Sequence, residues 1–334
     1  MSIDQGQGQP LPMVTVVIPT RNRREMLRAG LESLLRQSYP RDRYEVIVVD
    51  NGSTDGTEEM VSAIGEASNG LVRYLRQENL GPAVARNRGI QEGKGEIVAF
   101  TDSDCLAHSD WIREGVEALL QDDALGLISG RVLPVPRQEI GFLSRLVQLD
   151  REHPFYPACN IFYRHAALSA VGGFSPFFKR FRHHMDFALG GEDTELAWRV
   201  KRAGWKSGFA AQALIFHEIE RLTPFHYLIH DPGHAQLLPY LVRVIPELRR
   251  HLFLGYFLST QTALFDLLLL GLLLAAAVHP AFLLLGVPFS YYAFLFARLH
   301  KRKRLVIFPF WHLYYGAVFV FVAYGSIKHR SLVL

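Results

Sequence analysis

The sequence predicts an α/β fold, a Rossmann-like, mostly parallel sheet flanked by helices, followed by C-terminal transmembrane helices. Three observations carry that expectation. Continuous apolar runs of strand length alternate with stretches of helical periodicity in the first part of the chain, the pattern of a parallel sheet covered on both faces. Polar and acidic residues come directly after those runs. The last quarter is mostly Leu, Phe, Ala, Val and Tyr, in runs long enough to cross a bilayer.

The elements follow in order. The start, "MSIDQGQGQPLP" (1–12), has neither the basic patch nor the apolar stretch of a signal peptide and reads as a flexible leader. "MVTVVIP" is a buried strand, "RREMLRAGLESLLRQS" an amphipathic helix, and "YEVIVVD" a second buried strand closed by the turn-rich "NGSTDGT". A helix, the short strand "LVRYLRQ" and the helix "GPAVARNRGIQEG" lead into the strand of "EIVAFTDSDCL". Ser109 or Asp110 has the look of a cap for the helix "WIREGVEALL". This domain is expected to run over 13–220. Residues 221–251 read as an interfacial amphipathic helical region, broken or kinked at Pro239 and Pro246, with a soluble strut as the alternative.

Residues 252–334 are expected to form a membrane domain with two or three transmembrane segments. These are "LFLGYFLSTQTALFDLLLLGLLLAAAV", the shorter "AFLLLGVPFSYYAFLFA" after a turn at His279–Pro280, and "LVIFPFWHLYYGAVFVFVAYGSI". Arg249 and Arg250 before the first segment, and Arg298 to Arg304 after the second, place both basic flanks on one face, which the positive-inside rule makes cytoplasmic. Lys328, His329 and Arg330 after the third point the other way. The expectation is a multi-pass protein of the cell membrane with a cytoplasmic α/β domain. Asp266 interrupts the first segment. A carboxylate at a helix centre costs about 2.5–3.5 kcal/mol on insertion scales, so it should face protein or water, or lie near the interface.

A chain of 334 residues holds one large domain or two smaller ones. Its net charge of +4 comes largely from basic clusters beside apolar runs, which favours a membrane surface over nucleic acid. Neither zinc-finger spacing nor a basic stripe interleaved with aromatics is present, so no nucleic-acid partner is expected. Cys105 and Cys159 give no disulfide framework or metal motif and suit a reducing compartment. There is no GxGxxG and no GxxxxGK[ST], so dehydrogenase and P-loop readings lack their phosphate-binding device.

In open parallel sheets, ligands bind beyond the carboxyl ends of the strands. Thr20, Arg21 and Asn22, then Asp50, Gly52 and Ser53, then Asp102 and Asp104 all fall there, which predicts one shared nucleotide site. Each has a plainer role open to it. Asp50 and Asp55 suit turns and caps, and Arg86 and Arg88 suit a solvated helix face. Asp102 and Asp104 are either structural or hold a divalent cation, since Mg²⁺ and Mn²⁺ commonly join one or two carboxylates to a substrate's phosphates.

Taken together, "VVIPTRNR" (16–23), "VVDNGSTDGT" (48–57), "NLGPAVARNRGI" (79–90), "FTDSDC" (100–105), "GGF" (172–174) and "GEDTELAWRVKRAGW" (191–205) resemble, in content and order, the family-2 glycosyltransferases with a GT-A fold. The C-terminal segments resemble that family's membrane-attached branch more loosely. The resemblance implies a nucleotide-diphosphate sugar donor and a divalent metal, Mg²⁺ or Mn²⁺. It implies that Pro19, Thr20, Asn22, Asp50, Gly52 and Ser53 line the nucleotide pocket, and that Arg86 and Asn87 frame the nucleotide-sugar. Asp104 is implied as the direct metal ligand, with Asp102 nearer the ribose. His217 is either the histidine that completes the metal site or a satisfied strand-end histidine. Asp193 matches the family's catalytic base, with Glu192 and Asn160 on the acceptor side. Acids at a helix start also suit the macrodipole. A base opposite the leaving group implies inversion.

The processive synthases' Q-x-x-R-W element is absent, which favours transfer of single sugars. The expected acceptor is a lipid-linked or glycan hydroxyl. A polyprenyl-phosphate sugar synthase is the enzymatic alternative, and a non-catalytic nucleotide-sugar-binding membrane scaffold is the alternative of another class. In "FFKRFRHHMDFALG", Arg180, Arg182, His183 and His184 are read either as diphosphate contacts on a mobile loop or as solvated surface.

Overall fold

The computed structural model describes residues 10–141, 143–178, 191–299 and 304–334. The leader up to residue 9 and the basic loop with Arg180, Arg182, His183 and His184 lie outside them. The chain divides into two compact units, with the boundary in the main chain after Glu220.

The first unit opens with β1 (Val14–Thr20), α1 (Arg24–Leu34), β2 (Tyr44–Asp50), α2 (Thr57–Ala67), β3 (Val72–Arg76), α3 (Pro82–Glu92) and β4 (Ile97–Thr101). Every residue of β1, β2 and β4 is buried, because helices cover both faces and solvent reaches neither. The strands pair in parallel, in the order β3, β2, β1, β4. Parallel pairing is what brings their carboxyl ends to one edge. Close packing is enforced at Gly89 of α3, where a Cβ would sit 2.3 Å from a Val17 methyl of β1.

Beyond β4 the sheet becomes mixed. β5 (Cys105–Ala107), α4 (Trp111–Leu120), β6 (Leu125–Pro134), β7 (Ser144–Arg145), β8 (Asn160–Arg164), α5 (His165–Val171), α6 (Glu192–Arg202) and β9 (Lys206–His217) complete the unit. The sheet continues β4, β8, β6, β9, β5, with β8 antiparallel to β4 and β6, β9 parallel to β6, and β5 antiparallel to β9. Six of its eight strands therefore run one way. Asp110 precedes α4 without capping it by a side-chain bond; its carboxylate instead accepts from Ser38 Oγ at 2.6 Å.

The second unit is helical. Residues His226–His230 form a π-turn that passes through α7 (Asp231–Gly233) and a 3-10 turn into α8 (Leu238–Val244), with another 3-10 turn at Pro246–His251. Pro239 sits in the first turn of α8 and Pro246 opens the next turn, so the expected amphipathic region is segmented at both prolines. Then come α9 (Thr260–Ala277), a 3-10 segment Pro280–Gly286, α10 (Val287–Leu299) and α11 (Arg304–His329). Ser259 and Thr262 form a reciprocal capping box at the start of α9. His279 caps the turn that follows, accepting from Ala281 N.

Among the described residues two helices, Thr260–Ala277 and Pro309–His329, are long and apolar enough to cross a membrane. The middle candidate is split between the 3-10 segment and α10, whose 13 residues span about 20 Å. It runs back along α9: a Cβ on Gly271 would lie 2.7 Å from the Phe282 carbonyl, and Gln261 donates to Tyr292 at 2.9 Å. The residues after α11 return to the start of α9, where Leu258 N donates to Leu334 O at 2.9 Å and Arg249 donates to Leu332 O at 3.2 Å.

Candidate active site

The carboxyl ends of β1 and β2 are stitched into one loop cluster. Asn22 takes a left-handed conformation, φ 51°, which asparagine tolerates better than most residues. From there its backbone N–H donates to Ser53 Oγ at 2.8 Å and its side-chain oxygen accepts from Thr54 N at 2.8 Å. Gly52, φ 79°, supplies the sharp turn after β2. Asp50 is fully buried, accepting from Ser53 N at 2.9 Å, Ser53 Oγ at 2.6 Å and Tyr74 OH at 2.6 Å. Burial, then the bond to Asp50, push the Tyr74 phenol well up, so it stays a donor. Pro19 is paired opposite Val49 inside the sheet. Thr20 Oγ1, Thr101 Oγ1 and Arg86 Nε are buried polar atoms without a hydrogen-bond partner among the described residues, a shortfall a polar ligand would relieve.

The two acids after β4 have different partners. Asp102 accepts from Arg86 Nη2 at 2.9 Å. Asp104 meets Arg23 Nη1 at 2.5 Å through Oδ2, while its Oδ1 lies 3.7 Å from His217 Nε2. The antiparallel register of β5 on β9 sets Cys105 opposite His217 and so joins residues far apart in sequence. His217 Nδ1 lies 2.8 Å from the Glu218 carbonyl. A carbonyl only accepts, so Nδ1 donates there, and Nε2, turned toward Asp104, is the nitrogen placed to ligate.

The ligating atoms of Asp104, Cys105 and His217 lie within 4.8 Å of one another. Carboxylate oxygen and imidazole suit a divalent cation such as Mn²⁺. Cys105 fits less well, because a thiolate is a soft donor and Mg²⁺ and Mn²⁺ prefer oxygen and imidazole ligands. Asp104 and His217 are thus the residues able to hold an ion, with Asp102 beside them.

Arg86 connects this corner to α6. The guanidinium is 7% exposed, and its Nη1 reaches Glu192 Oε1 at 3.2 Å while Nη2 holds Asp102. Asp193, next along α6, accepts from Ala158 N at 3.0 Å and from Thr194 N at 2.9 Å. Its carboxyl is pushed up to about 7, first by burial and then by repulsion from Glu192, against the pull of Arg86 and the two backbone donors. A carboxyl poised there can exchange a proton near neutral pH.

Two expected site residues have their side-chain amides engaged within the fold. Asn160 was expected on the acceptor side but is a fully buried core amide: its oxygen accepts from Trp111 Nε1 at 2.8 Å and its nitrogen donates to the Arg131 and Ala213 carbonyls, both at 2.8 Å. Asn87 clamps the Phe174 backbone from both ends of its amide, at 2.8 and 2.7 Å, so any framing of a ligand is indirect. Arg23 and Tyr74 were not singled out from the sequence. Arg23 adjoins Asn22 in a motif already noted, whereas Tyr74 lies in an ordinary-looking strand.

Residues 15–184 match the model of glycosyl transferase family 2. Glycosyltransferase AglE of Haloferax volcanii is 39% identical over 122 residues, 36% of this chain and 40% of that protein. Two further relatives are covered over 44% and 43% of their length, so the chain aligns with about two-fifths of the length of each of these three. Among solved structures, mannosyltransferase PcManGT from Pyrobaculum calidifontis, in complex with GDP-Man and Mn²⁺, superposes with a TM-score of 0.59 at 21% identity, covering 96% of this chain and 87% of that one. S. aureus TarS 1–349 in complex with UDP gives 0.50 at 16% identity, covering 96% and 92%. At these identities the likeness is one of fold.

Proposed function

The chain belongs to glycosyl transferase family 2, and from that premise we propose that it transfers a sugar from a nucleotide-diphosphate donor to a hydroxyl of a lipid-linked or polysaccharide acceptor. Transfer is of single sugars, with inversion, at the cytoplasmic face of a membrane.

The observation that carries this reading is the Arg86 bridge. One buried guanidinium touches both Asp102, on the metal side, and Glu192, beside Asp193. The donor's leaving group and the acceptor's proton are thereby handled within one connected set of side chains. Asp104 and His217 hold Mg²⁺ or Mn²⁺. When bound, the cation supplies Lewis-acid stabilisation of the charge on the departing diphosphate. GDP-Man and Mn²⁺ in PcManGT and UDP in TarS support a nucleotide donor and a metal. The nucleotide lies along the ends of β1 and β2, where Thr20 Oγ1 has a hydrogen bond to give and Asp50 is held rigid by Ser53 and Tyr74. Asp193 takes the acceptor hydroxyl's proton, which strengthens the nucleophile as the sugar's anomeric bond breaks. Glu192, fixed by Arg86, lines the acceptor side. The two long apolar helices attach the chain to the membrane.

Screening nucleotide-sugars with the full-length protein in membranes, with mass spectrometry of the products, tests this. A glycosylated product that requires Mg²⁺ or Mn²⁺ and the intact acids is expected. Nucleotide-sugar binding without product under any acceptor extract would leave a scaffold and refute the enzyme.

A further inference from the structure

The segment Glu152–Ala158, leading into β8, lies along α6 and is fastened to it by one stripe of side chains. Thr194 Oγ1 donates to the Phe155 carbonyl at 2.7 Å, Trp198 Nε1 to the Pro154 carbonyl at 2.9 Å, and Lys201 Nζ to the Tyr156 hydroxyl at 2.6 Å. These residues are spaced i, i+4, i+7, one face of a helix. Lys201 also lies 4.5 Å over the Trp198 ring and 5.1 Å over the Tyr156 ring. The Tyr156 hydroxyl in turn donates to Glu152 at 2.5 Å.

The segment is stiff. Pro154 and Pro157 each fix a backbone torsion. Tyr156, buried and directly before a proline, has φ 43°, a conformation a bulky residue keeps only where its surroundings impose it. At the end of this strap is Ala158, whose N–H donates to Asp193 Oδ2. The other oxygen is held by Thr194 N from its own helix.

We propose that this strap, with Thr194, Trp198 and Lys201 as positioning residues, presses the Ala158 amide against Asp193 and so fixes the carboxylate's aim and charge for proton abstraction. The inference rests on Asp193 being the base. A carboxylate held only by its own helix can still turn about its broad terminal torsion. A second donor, from a separate and rigid element, removes that freedom and leaves outward lone pairs for the acceptor hydroxyl. The same N–H favours the ionised form, against burial. The charged and titratable groups facing Asp193 are Glu192 on its helix, Arg86 on α3 with Asp102 behind it, Cys159 just before β8 and Tyr163 within it. Trp198→Phe and Thr194→Val change none of these; Thr194→Val deletes one strap bond at nearly constant bulk, and Trp198→Phe deletes another while keeping an aromatic ring beside Lys201.

The test is pH-difference infrared spectroscopy of the full-length protein without substrate, with Asp193→Asn identifying the Asp193 carboxyl band. Both variants should raise the midpoint of that band above the wild-type value. Below the midpoint, each pH unit gained means tenfold less carboxylate. Turnover with the donor found by the screen should accordingly fall at low pH and recover at high pH, with donor KM unchanged. Unmoved midpoints in folded variants, or turnover lost by the same factor at every pH, would overturn the proposal. The two variants remove different bonds, so either folded one is decisive. Wild-type turnover in Asp193→Asn would instead sink the base assignment, with the infrared midpoints still reporting on the strap.

Discussion

Replacing Asp193 by Asn keeps size and shape but deletes the proton acceptor. In the structure the carboxylate accepts from two backbone donors, Ala158 N and Thr194 N. An amide can accept from only one and must turn its own NH₂ toward the other, so a modest local cost is expected while the fold persists. The donor corner, Asp102, Asp104 and His217, is untouched. General-base removal typically lowers rate about 10²–10⁴-fold, equivalent to about 2.7–5.5 kcal/mol of transition-state stabilisation. The carboxyl itself sits at about 7, raised by burial and Glu192. In the wild type the base is increasingly protonated as pH falls below about 7, so turnover should decline from its high-pH plateau over that range, approaching about tenfold per pH unit further down. The sign for stability is opposite. The folded state holds this proton more tightly than the unfolded chain, so this group's contribution to stability declines as pH rises from the ordinary carboxylate range to about 7. The assay pairs calorimetric affinity for the nucleotide diphosphate with turnover on the true acceptor, for both proteins across pH. Unchanged affinity, collapsed turnover and loss of the acid limb are expected. Collapsed affinity would make Asp193 a donor-binding or structural group. If neither quantity changes, a phosphate acceptor, ionised already and needing no base, becomes the better account.

Three further outcomes are expected. Asp104→Ala should abolish Mn²⁺ binding measured by electron paramagnetic resonance, and with it turnover, while the protein still folds, since the carboxylate is at a strand end; undiminished wild-type turnover in excess chelator would contradict this. Asn160→Ala removes the amide that Trp111 Nε1 donates to and that donates to the Arg131 and Ala213 carbonyls, and losing buried hydrogen bonds costs on the order of 1–3 kcal/mol, so denaturation should show a loss of stability. A raised acceptor KM with stability intact would return Asn160 to the acceptor side. Removing residues from about 252 onward, the start of the apolar region, should release the protein from membranes into the soluble fraction, and persistence in the pellet after carbonate washing would place the attachment elsewhere.

What the sequence determined by itself was whatever depends on local pattern. β1, β2 and β4 were legible because strands buried on both faces must be apolar throughout, and "VTVVIPT", "YEVIVVD" and "IVAFT" are nearly so. Their carboxyl ends fix where Thr20, Asp50, Asp102 and Asp104 go, since parallel pairing leaves one edge for all of them. The stop at His279–Pro280 was legible for the same local reason. Tertiary structure alone decided what depends on register and burial. β5 was not foreseen, because three residues carry no period, yet its pairing with β9 is what sets His217 near Asp104. Asn160 looked like a ligand-facing amide, and only the arrival of Trp111, Arg131 and Ala213 from three separate segments shows it to be a saturated core group. Arg23 and Arg86 could equally have been solvated. Their acids come from distant turns, and an ion pair's partner leaves no mark in the residues beside it. The stripe of Thr194, Trp198 and Lys201 is visible as helical spacing in "TELAWRVK", but the strap it holds lies some forty residues upstream, brought there by the chain's path through β8 rather than by any local preference.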